Sequence, residues 1–335
     1  MASIGLTVPL TWLRSPAQFE ALMPQDAGVP ATSADYALVD VGDARRLERF
    51  GSIVVDRPAP GAEGHVAQDS AAWTAADARF DRADKGAVAH EGWTTKDGRP
   101  IEPWHVRDGS GQFELRLAPS GQVGLFPEQR EVRTWIGRQA RRLRPDQVEA
   151  GQAEAAAFCG AGAALNLFGY TGAVTVEAAL AGLAVTHVDA SRPAVAWARR
   201  NAELNDLAAA PIRWISDDAI GYAERELRRG RRYAGIVLDP PSYGHGSSGK
   251  PWRLANDLPS LLETCAGLLD DGPAFIVVTA HTPGFGPDRL GQLLLDALEP
   301  EFGGGVSASI EVEDQSILSE GGTRLHLGSM ARWSR

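Results

Sequence analysis

Between Ala163 and His281 the chain repeats one pattern. A short run of Val, Ile, Leu and Ala leads into a turn carrying an acid, an amide or glycine, and a longer segment with helical spacing follows. Regular alternation of this kind leaves few topologies, because parallel strands need a crossover long enough to hold a helix, and right-handed crossovers lay the helices on both faces of one sheet. The pattern predicts strands at Ala163 to Phe168, Ala184 to Asp189, Ile212 to Ser216, Tyr233 to Asp239 and Ala274 to His281, with helices in the gaps. The tail departs from this rhythm: Val306 to Val312 and Leu325 to Trp333 look like two strands joined through Glu320-Gly321-Gly322, with no helix between. The expected fold class is α/β, a doubly wound, mostly parallel seven-stranded sheet with an antiparallel last strand.

A different texture precedes it. Residues 1–35 show Pro and Ala punctuation and little periodicity, and are expected to form an irregular arm. From Tyr36 to Phe126, short runs such as Ala37-Leu38-Val39-Asp40, Ser52-Ile53-Val54-Val55 and Gln112 to Leu117 are separated by Gly, Pro and Asp, which predicts a small antiparallel, β-rich domain. Trp73, Trp93 and Trp104 are expected to fill its core. After Pro127 the pattern turns helical through Leu143, breaks at Pro145, and continues as a second helical stretch to Phe158. The division is therefore 1–35, 36–126 and a Rossmann-like domain over 127–335.

Composition narrows the function classes. With 335 residues, 44% hydrophobic, the chain can bury one large or two ordinary cores. Its opening residues lack a basic start followed by a sustained apolar run, and no stretch approaches the roughly 18 apolar residues of a membrane span, so a cytoplasmic protein is expected. Cys159 and Cys265 stand in unrelated contexts, which predicts buried free thiols rather than a disulfide, and the histidines show no ligand spacing, so no metal is expected. The net charge of -10 argues against a surface that adheres to nucleic acid everywhere. Arginines nevertheless crowd two places, Arg130, Arg133, Arg138, Arg141, Arg142 and Arg144 on one helix and Arg225, Arg228, Arg229, Arg231 and Arg232 at the end of another. These are either solvated helix faces or a phosphate-tracking patch.

The strand ends carry the chemistry. The first strand runs through Asn166 and Phe168 into Gly169-Tyr170-Thr171-Gly172, where glycines allow close backbone approach and a helix start near Ala173 supplies free N–H groups. The loop lacks the G-x-G-x-x-G pattern, and a tight packing turn without a ligand is the plain alternative. Asp189, ending the second strand roughly 20 residues on, is placed to accept ribose hydroxyl protons, with Ser191 able to cap the next helix. Asp217 and Asp218 end the third strand, and one of them is expected to cap a helix while Asp218 is offered to an adenine amine. The fourth strand ends in Asp239-Pro240-Pro241-Ser242-Tyr243-Gly244, whose proline pair holds a fixed bend and aims the carboxylate outward. In an open α/β sheet all four strand ends face one crevice.

Together, L-N-L-F-G-Y-T-G, the stretch V-D-A-S-R-P-A-V-A-W-A-R-R-N-A-E-L-N and D-P-P-S-Y-G resemble the class I S-adenosylmethionine-dependent methyltransferases. More narrowly they are similar to the bacterial 23S ribosomal RNA methyltransferase group, over most of residues 125–335, and Gly124 to Arg130 looks like that group's link between a small β domain and the catalytic domain. The resemblance implies S-adenosylmethionine as cofactor and RNA as partner. It also implies that Asn166, Phe168, Tyr170, Thr171 and Gly172 hold the methionine part, Asp189 with Ala190 and Ser191 the ribose, and Asp218 with Ala219 the adenine. Asp239, Pro240, Pro241, Ser242 and Tyr243 would form the catalytic segment, with Asp239 also near the cofactor.

The fifth strand bears on the accepting atom. Members of this group that methylate cytosine at carbon 5 use a cysteine after that strand, whereas here it ends Val278-Thr279-Ala280-His281-Thr282, which disfavours cytosine C5. D-P-P is similar to the motif with which amino-directed methyltransferases accept hydrogen bonds from a target nitrogen, and that resemblance implies nitrogen methylation of a purine. His281 either orients the substrate or is satisfied by backbone. His245 and Lys250 are placed in a loop, Gly244 to Gly249, expected to be flexible and able to close over substrate or else to be a solvated loop of Gly and Ser. The rival readings are a methyltransferase of a small molecule or protein, a nicotinamide-dependent oxidoreductase, and a binding module without activity.

Overall fold

The computed structural model describes residues 35–81, 92–143, 158–245 and 251–335. The expected arm before residue 35, the second helical stretch over 144–157, Arg144 and Lys250 lie outside these residues.

The chain begins with β1 (Tyr36–Gly42), β2 (Arg45–Phe50) and β3 (Ile53–Pro58), then a short helix α1 (Ser70–Thr74), β4 (Ala78–Phe80), β5 (Trp93–Thr95) and a hairpin of β6 (Trp104–Asp108) and β7 (Gly111–Leu115). The first five strands form one sheet in the order β1-β2-β3-β4-β5, and the hairpin pairs only with itself. The expectation of an antiparallel sheet needs one correction, since β3 and β4 run parallel. The 19 residues that α1 and its flanks insert between them make a crossover.

The tryptophans also differ from expectation. Phe50, Val55, Phe113, Leu115 and Leu125 fill this core, while Trp93 and Trp104 pack half-buried at its margin. Each tryptophan keeps its indole N–H on an acceptor: Trp73 on Asp40, Trp93 on the Ala118 carbonyl and Trp104 on the Phe50 carbonyl. An aromatic body with one polar handle suits a core's rim better than its centre.

A helix α2 (Arg130–Arg142) leads into β8 (Gly160–Leu167), α3 (Ala173–Leu180), β9 (Ala184–Asp189), α4 (Arg192–Leu204), β10 (Ile212–Ser216), α5 (Ala219–Arg228) and β11 (Tyr233–Leu238). A small hairpin follows, β12 (Tyr243–His245) with β13 (Pro251–Arg253), then α6 (Leu254–Ala266), β14 (Phe275–Ala280), α7 (Pro287–Phe302), β15 (Ile310–Leu318) and β16 (Arg324–Ser334). The large sheet has the order β10-β9-β8-β11-β14-β16-β15, with β16 antiparallel to both neighbours. Strands β11 and β14 are buried along their whole length, as helices on both faces require. The expected strand at Val306 to Val312 begins later: Val306–Ser309 is a 3-10 turn and the strand runs on to Leu318.

The chain order reverses between β8 and β11, which pair through Asn166↔Val237 and Leu167↔Leu238. That switch point opens a crevice at their carboxyl ends. Two anchors hold the β-rich part beside it. Leu38 bridges Ser319 next to the β15–β16 turn, and the Glu320 amide donates to the Leu38 carbonyl at 2.8 Å. On the other side Trp197, Asn201 and Asn205, at four-residue spacing on and just past α4, face the edge of β7. Trp197 donates to the Glu114 carbonyl, Asn201 accepts the Glu114 amide, and Asn205 both accepts from and donates to Gln112. Side-chain amides thus complete a strand edge that would otherwise be unpaired.

Candidate active site

Where β8 ends, the backbone takes an unusual course. Phe168 and Tyr170 both adopt positive φ, 58° and 46°, and Gly172 follows at 84° to start α3. Non-glycine residues held there cost on the order of 1–3 kcal/mol each and collect at functional sites. Asp189, at the end of β9, holds the loop in place: one carboxylate oxygen accepts the Tyr170 amide and the other the Ser191 amide, both at 2.8 Å. Thr171 donates its hydroxyl to the Gly124 carbonyl at 2.5 Å, and Asn201 donates to the Thr171 carbonyl at 2.8 Å.

Packing by itself already requires glycine at both positions. A Cβ on Gly169 would stand 2.5 Å from the buried His187 ring, and one on Gly172 would stand 2.8 Å from Ala198. Behind the loop runs a buried chain in which Asn166 donates to the Thr175 hydroxyl, itself 2.9 Å from Nδ1 of His187. Burial drives the His187 pKa down to about 3, so the ring is neutral.

Among the described residues no cation pairs with Asp189. Burial raises its pKa, and the two backbone N–H bonds only partly oppose that. A carboxylate in this condition, with lone pairs to spare on both oxygens, fits uncharged donors such as the two hydroxyls of a ribose. Ala190 and Ser191 are exposed beside it, and Ser191 caps α4 through the Ala194 amide. Asp218 caps α5 by accepting the Gly221 amide, which leaves its other oxygen for a ligand, and Ala219 is buried in that first turn. Asp217 pairs with Arg225 instead.

Asp239 stands one residue past β11. Its Oδ1 accepts Thr279 Oγ1 at 2.5 Å and lies 3.2 Å from Nε2 of His281, while Oδ2 accepts the Gln129 amide at 2.7 Å. Burial alone would raise its pKa, but His281, Thr279 and Gln129 more than offset it and hold the group below the ordinary carboxylate value. For His281, burial acts downward and the Asp239 charge outweighs it, lifting the ring to about 9. A cleft lined by Phe126, Gln129, Asn166, Phe168, Tyr170, Thr171 and Asp239 connects this carboxylate with the β8 loop. Of the predicted residues, therefore, Asn166, Phe168, Tyr170, Thr171, Asp189 and Asp239 come together, and Asp218 lies at the end of the outermost strand of the same edge.

The rest of the D-P-P-S-Y-G segment turns outward. The Pro241 carbonyl accepts the Trp252 indole N–H at 2.6 Å, Ser242 Oγ sits 2.6 Å from the Thr282 hydroxyl, and Tyr243 is exposed. Gly244 and His245 belong to strand β12 rather than to a loop, a correction forced by their pairing with Trp252 and Pro251. Trp252 then reaches back to place its ring 5.3 Å from Phe168, linking the hairpin to the β8 loop. Pro240 is buried.

One further expectation changes: Cys265 is buried, but Cys159 is half-buried and accepts an N–H from Arg231 at 3.2 Å. The arginine clusters are paired in part, with Arg130 and Arg133 sharing Asp108, Arg225 on Asp217, Arg228 on Glu224 and Arg229 on Glu226. Sequence reasoning gave no site role to Gln129, Thr279, Asn201 or Gly124, the first and last standing only within the linking segment. The structure shows why Gly124 is glycine: at φ 102° a Cβ would stand 2.3 Å from Trp197.

Among the described residues no helix is long and apolar enough to cross a membrane. The ribosomal RNA large subunit methyltransferase K/L of Syntrophotalea carbinolica is 32% identical over 197 residues, 58% of this chain and 24% of its own length. The enzyme of the same name from Methylococcus capsulatus is 37% identical over 187 residues, 55% of this chain and 23% of its own. The chain thus matches about a quarter of the length of these curated relatives. A crystal structure of a SAM-dependent methyltransferase from Agrobacterium tumefaciens superposes with a TM-score of 0.78 at 30% identity, covering 91% of this chain and 94% of that one. The family model for S-adenosylmethionine-dependent methyltransferases matches residues 65–297, a span that contains the β8 loop, Asp189, Asp218 and Asp239. With the acids of successive strand ends gathered on one crevice, and no dinucleotide glycine pattern to favour a nicotinamide enzyme, the chain belongs to the S-adenosylmethionine-dependent methyltransferase family.

Proposed function

We propose that this chain methylates a nitrogen of an RNA base, ribosomal RNA being the favoured substrate and a purine the favoured base, and that it does so in the cytoplasm. The observation that carries the reading is Asp239, an ionised carboxylate held at the mouth of the β8 cleft by three protein donors. An acceptor at that place suits a substrate N–H. The names of the curated relatives support ribosomal RNA, and the burial of Cys265 on α6, away from the end of β14, supports nitrogen over cytosine C5. The 36–126 region is read as a separate β-rich domain beside the catalytic domain of 127–335.

In this reading Asp189 binds the ribose hydroxyls, Asn166 and the loop from Phe168 to Gly172 hold the methionine part, and Asp218 and Ala219 meet the adenine. S-adenosylmethionine supplies a methyl already electrophilic on its sulfonium, so alignment and exclusion of water are what remains for the protein. Asp239 orients the accepting nitrogen, and the buried Pro240 fixes the bend that presents it. A small-molecule or protein acceptor is the second reading, favoured by the pairing of so many arginines with acids. Labelled cofactor with total RNA from a strain lacking the protein separates the two. RNA should take up label, and Asp239→Ala should lower transfer roughly 100-fold while cofactor affinity stays within about threefold. Label on a small metabolite and never on RNA would remove the RNA reading.

A further inference from the structure

His281 is docked on both of its nitrogens. Nδ1 lies 2.7 Å from the Leu327 carbonyl on β16, and Nε2 lies 3.2 Å from Oδ1 of Asp239. The carbonyl and the carboxylate are acceptors, and the form that satisfies both is the imidazolium, a donor at each nitrogen; the Gln129 amide nitrogen, 3.4 Å from Nε2, turns a hydrogen to the shorter contact with Oδ2 of Asp239. The dock is built for the ring. A Cβ on Gly328 would stand 2.7 Å from Nδ1 and 2.8 Å from the Ala280 carbonyl, so only glycine on β16 leaves the ring its place. Phe126 stacks on the ring at 6.3 Å, and Gln129, from the same turn ahead of α2, reaches Oδ2 of Asp239.

We propose that His281 and Gln129 are positioning residues that, with Thr279, hold Asp239 ionised with one acceptor direction open to the cleft, and so select an uncharged amine as methyl acceptor. A carboxylate offers about four lone-pair directions. Thr279 and His281 take those of Oδ1 and Gln129 takes one of Oδ2, while Asp239 and Gln129 both line the cleft. One N–H of a neutral amine fills the remaining direction and leaves the nitrogen lone pair free for the methyl. A protonated amine has no such pair, and a ring nitrogen without hydrogen has nothing to donate. In the transfer the N–C bond forms as the C–S bond breaks, sulfur becomes a neutral thioether, and nitrogen takes the positive charge beside Asp239. The surplus proton then leaves through Oδ2 to water. The closing strand pair, otherwise remote from catalysis, thus reaches the site through Leu327, Gly328 and His281.

This rests on the nitrogen-methylating reading above, and two measurements keep the failures apart. The first needs no substrate: a histidine NMR titration of the whole chain. The charged groups acting on His281 are Asp239 and, from the turn before α2, Glu128. His281 should titrate near 9, and Asp239→Asn should lower that by about one to three units. A value near the ordinary one for histidine, unmoved by Asp239→Asn, overturns the proposal. The second compares transfer. His281→Ala and Gln129→Leu should each lower kcat about tenfold or more with cofactor Kd changed less than about twofold, as loss of alignment would. The wild type should lose activity above about pH 9 as His281 deprotonates, and His281→Gln, which donates without a titrating proton, should recover most of the loss and abolish that decline. Wild-type kcat in His281→Ala overturns the proposal. Failure of the wild type to label RNA removes the RNA reading alone, and the titration then decides the pairing.

Discussion

Replacing Asp189 by alanine tests two roles of one carboxylate. Without ligand, the side chain accepts the Tyr170 and Ser191 amides at 2.8 Å each. Hydrogen bonds to a charged group contribute about 1.5–3 kcal/mol each, so the pair sums to about 3–6 kcal/mol. Two terms offset this. The positive φ of Tyr170 relaxes once its tether is gone, recovering about 1–3 kcal/mol. The cost of keeping an uncompensated carboxylate buried, visible in its raised pKa, also disappears. A net loss of about 1–3 kcal/mol in unfolding free energy is expected, a clear shift of the urea midpoint for a protein of this size. Cofactor binding should suffer more, because both hydroxyl acceptors vanish and the β8 loop loses its anchor. Even one charge-assisted bond at about 1.5 kcal/mol is worth a tenfold change in Kd. Calorimetric titration with S-adenosylmethionine at pH 7 should therefore show affinity at least tenfold weaker. An Asp189→Ala protein that unfolds at the wild-type midpoint and binds within twofold would refute both the anchor and the ribose assignment.

Gly169→Ala should destabilise the chain by about 1–3 kcal/mol and weaken cofactor binding, because its Cβ would be driven against the immobile His187 ring and toward Asn166; thermal unfolding and calorimetry check it, and a neutral substitution would show that the loop is slack. Replacing Cys159 and Cys265 together by serine or alanine should leave methyl transfer per folded molecule intact, since burial pushes the Cys265 thiol up, away from the reactive thiolate, and Cys159 lies at the amino end of β8. A folded, cofactor-binding double variant without activity would contradict that.

The strand-helix rhythm is legible in the sequence because parallel strands buried on both faces are near-continuous apolar runs, as Tyr233–Leu238 and, Thr279 apart, Phe275–Ala280 are. Asp189 and Asp239 are legible for a related reason: a carboxylate directly after a buried run has one place to go, the crevice outside the strand end. Local pattern could not say what each carboxylate would meet. Gln129 precedes Asp239 by 110 residues, and His281 and Leu327 lie on strands that only sheet pairing brings together, so their meeting depends on β11, β14 and β16 being neighbours. The same holds for Asn201 and Asn205, whose amides look like ordinary helix-end residues until β7 is laid against them. Charge patterning left the arginines open between a solvated face and a patch: Arg225, Arg228 and Arg229 find Asp217, Glu224 and Glu226 within eight residues of chain, whereas Arg130 and Arg133 meet Asp108 only because β6 is laid beside α2. Periodicity reports which face of an element is buried, whereas the partner on that face is chosen by packing across the chain.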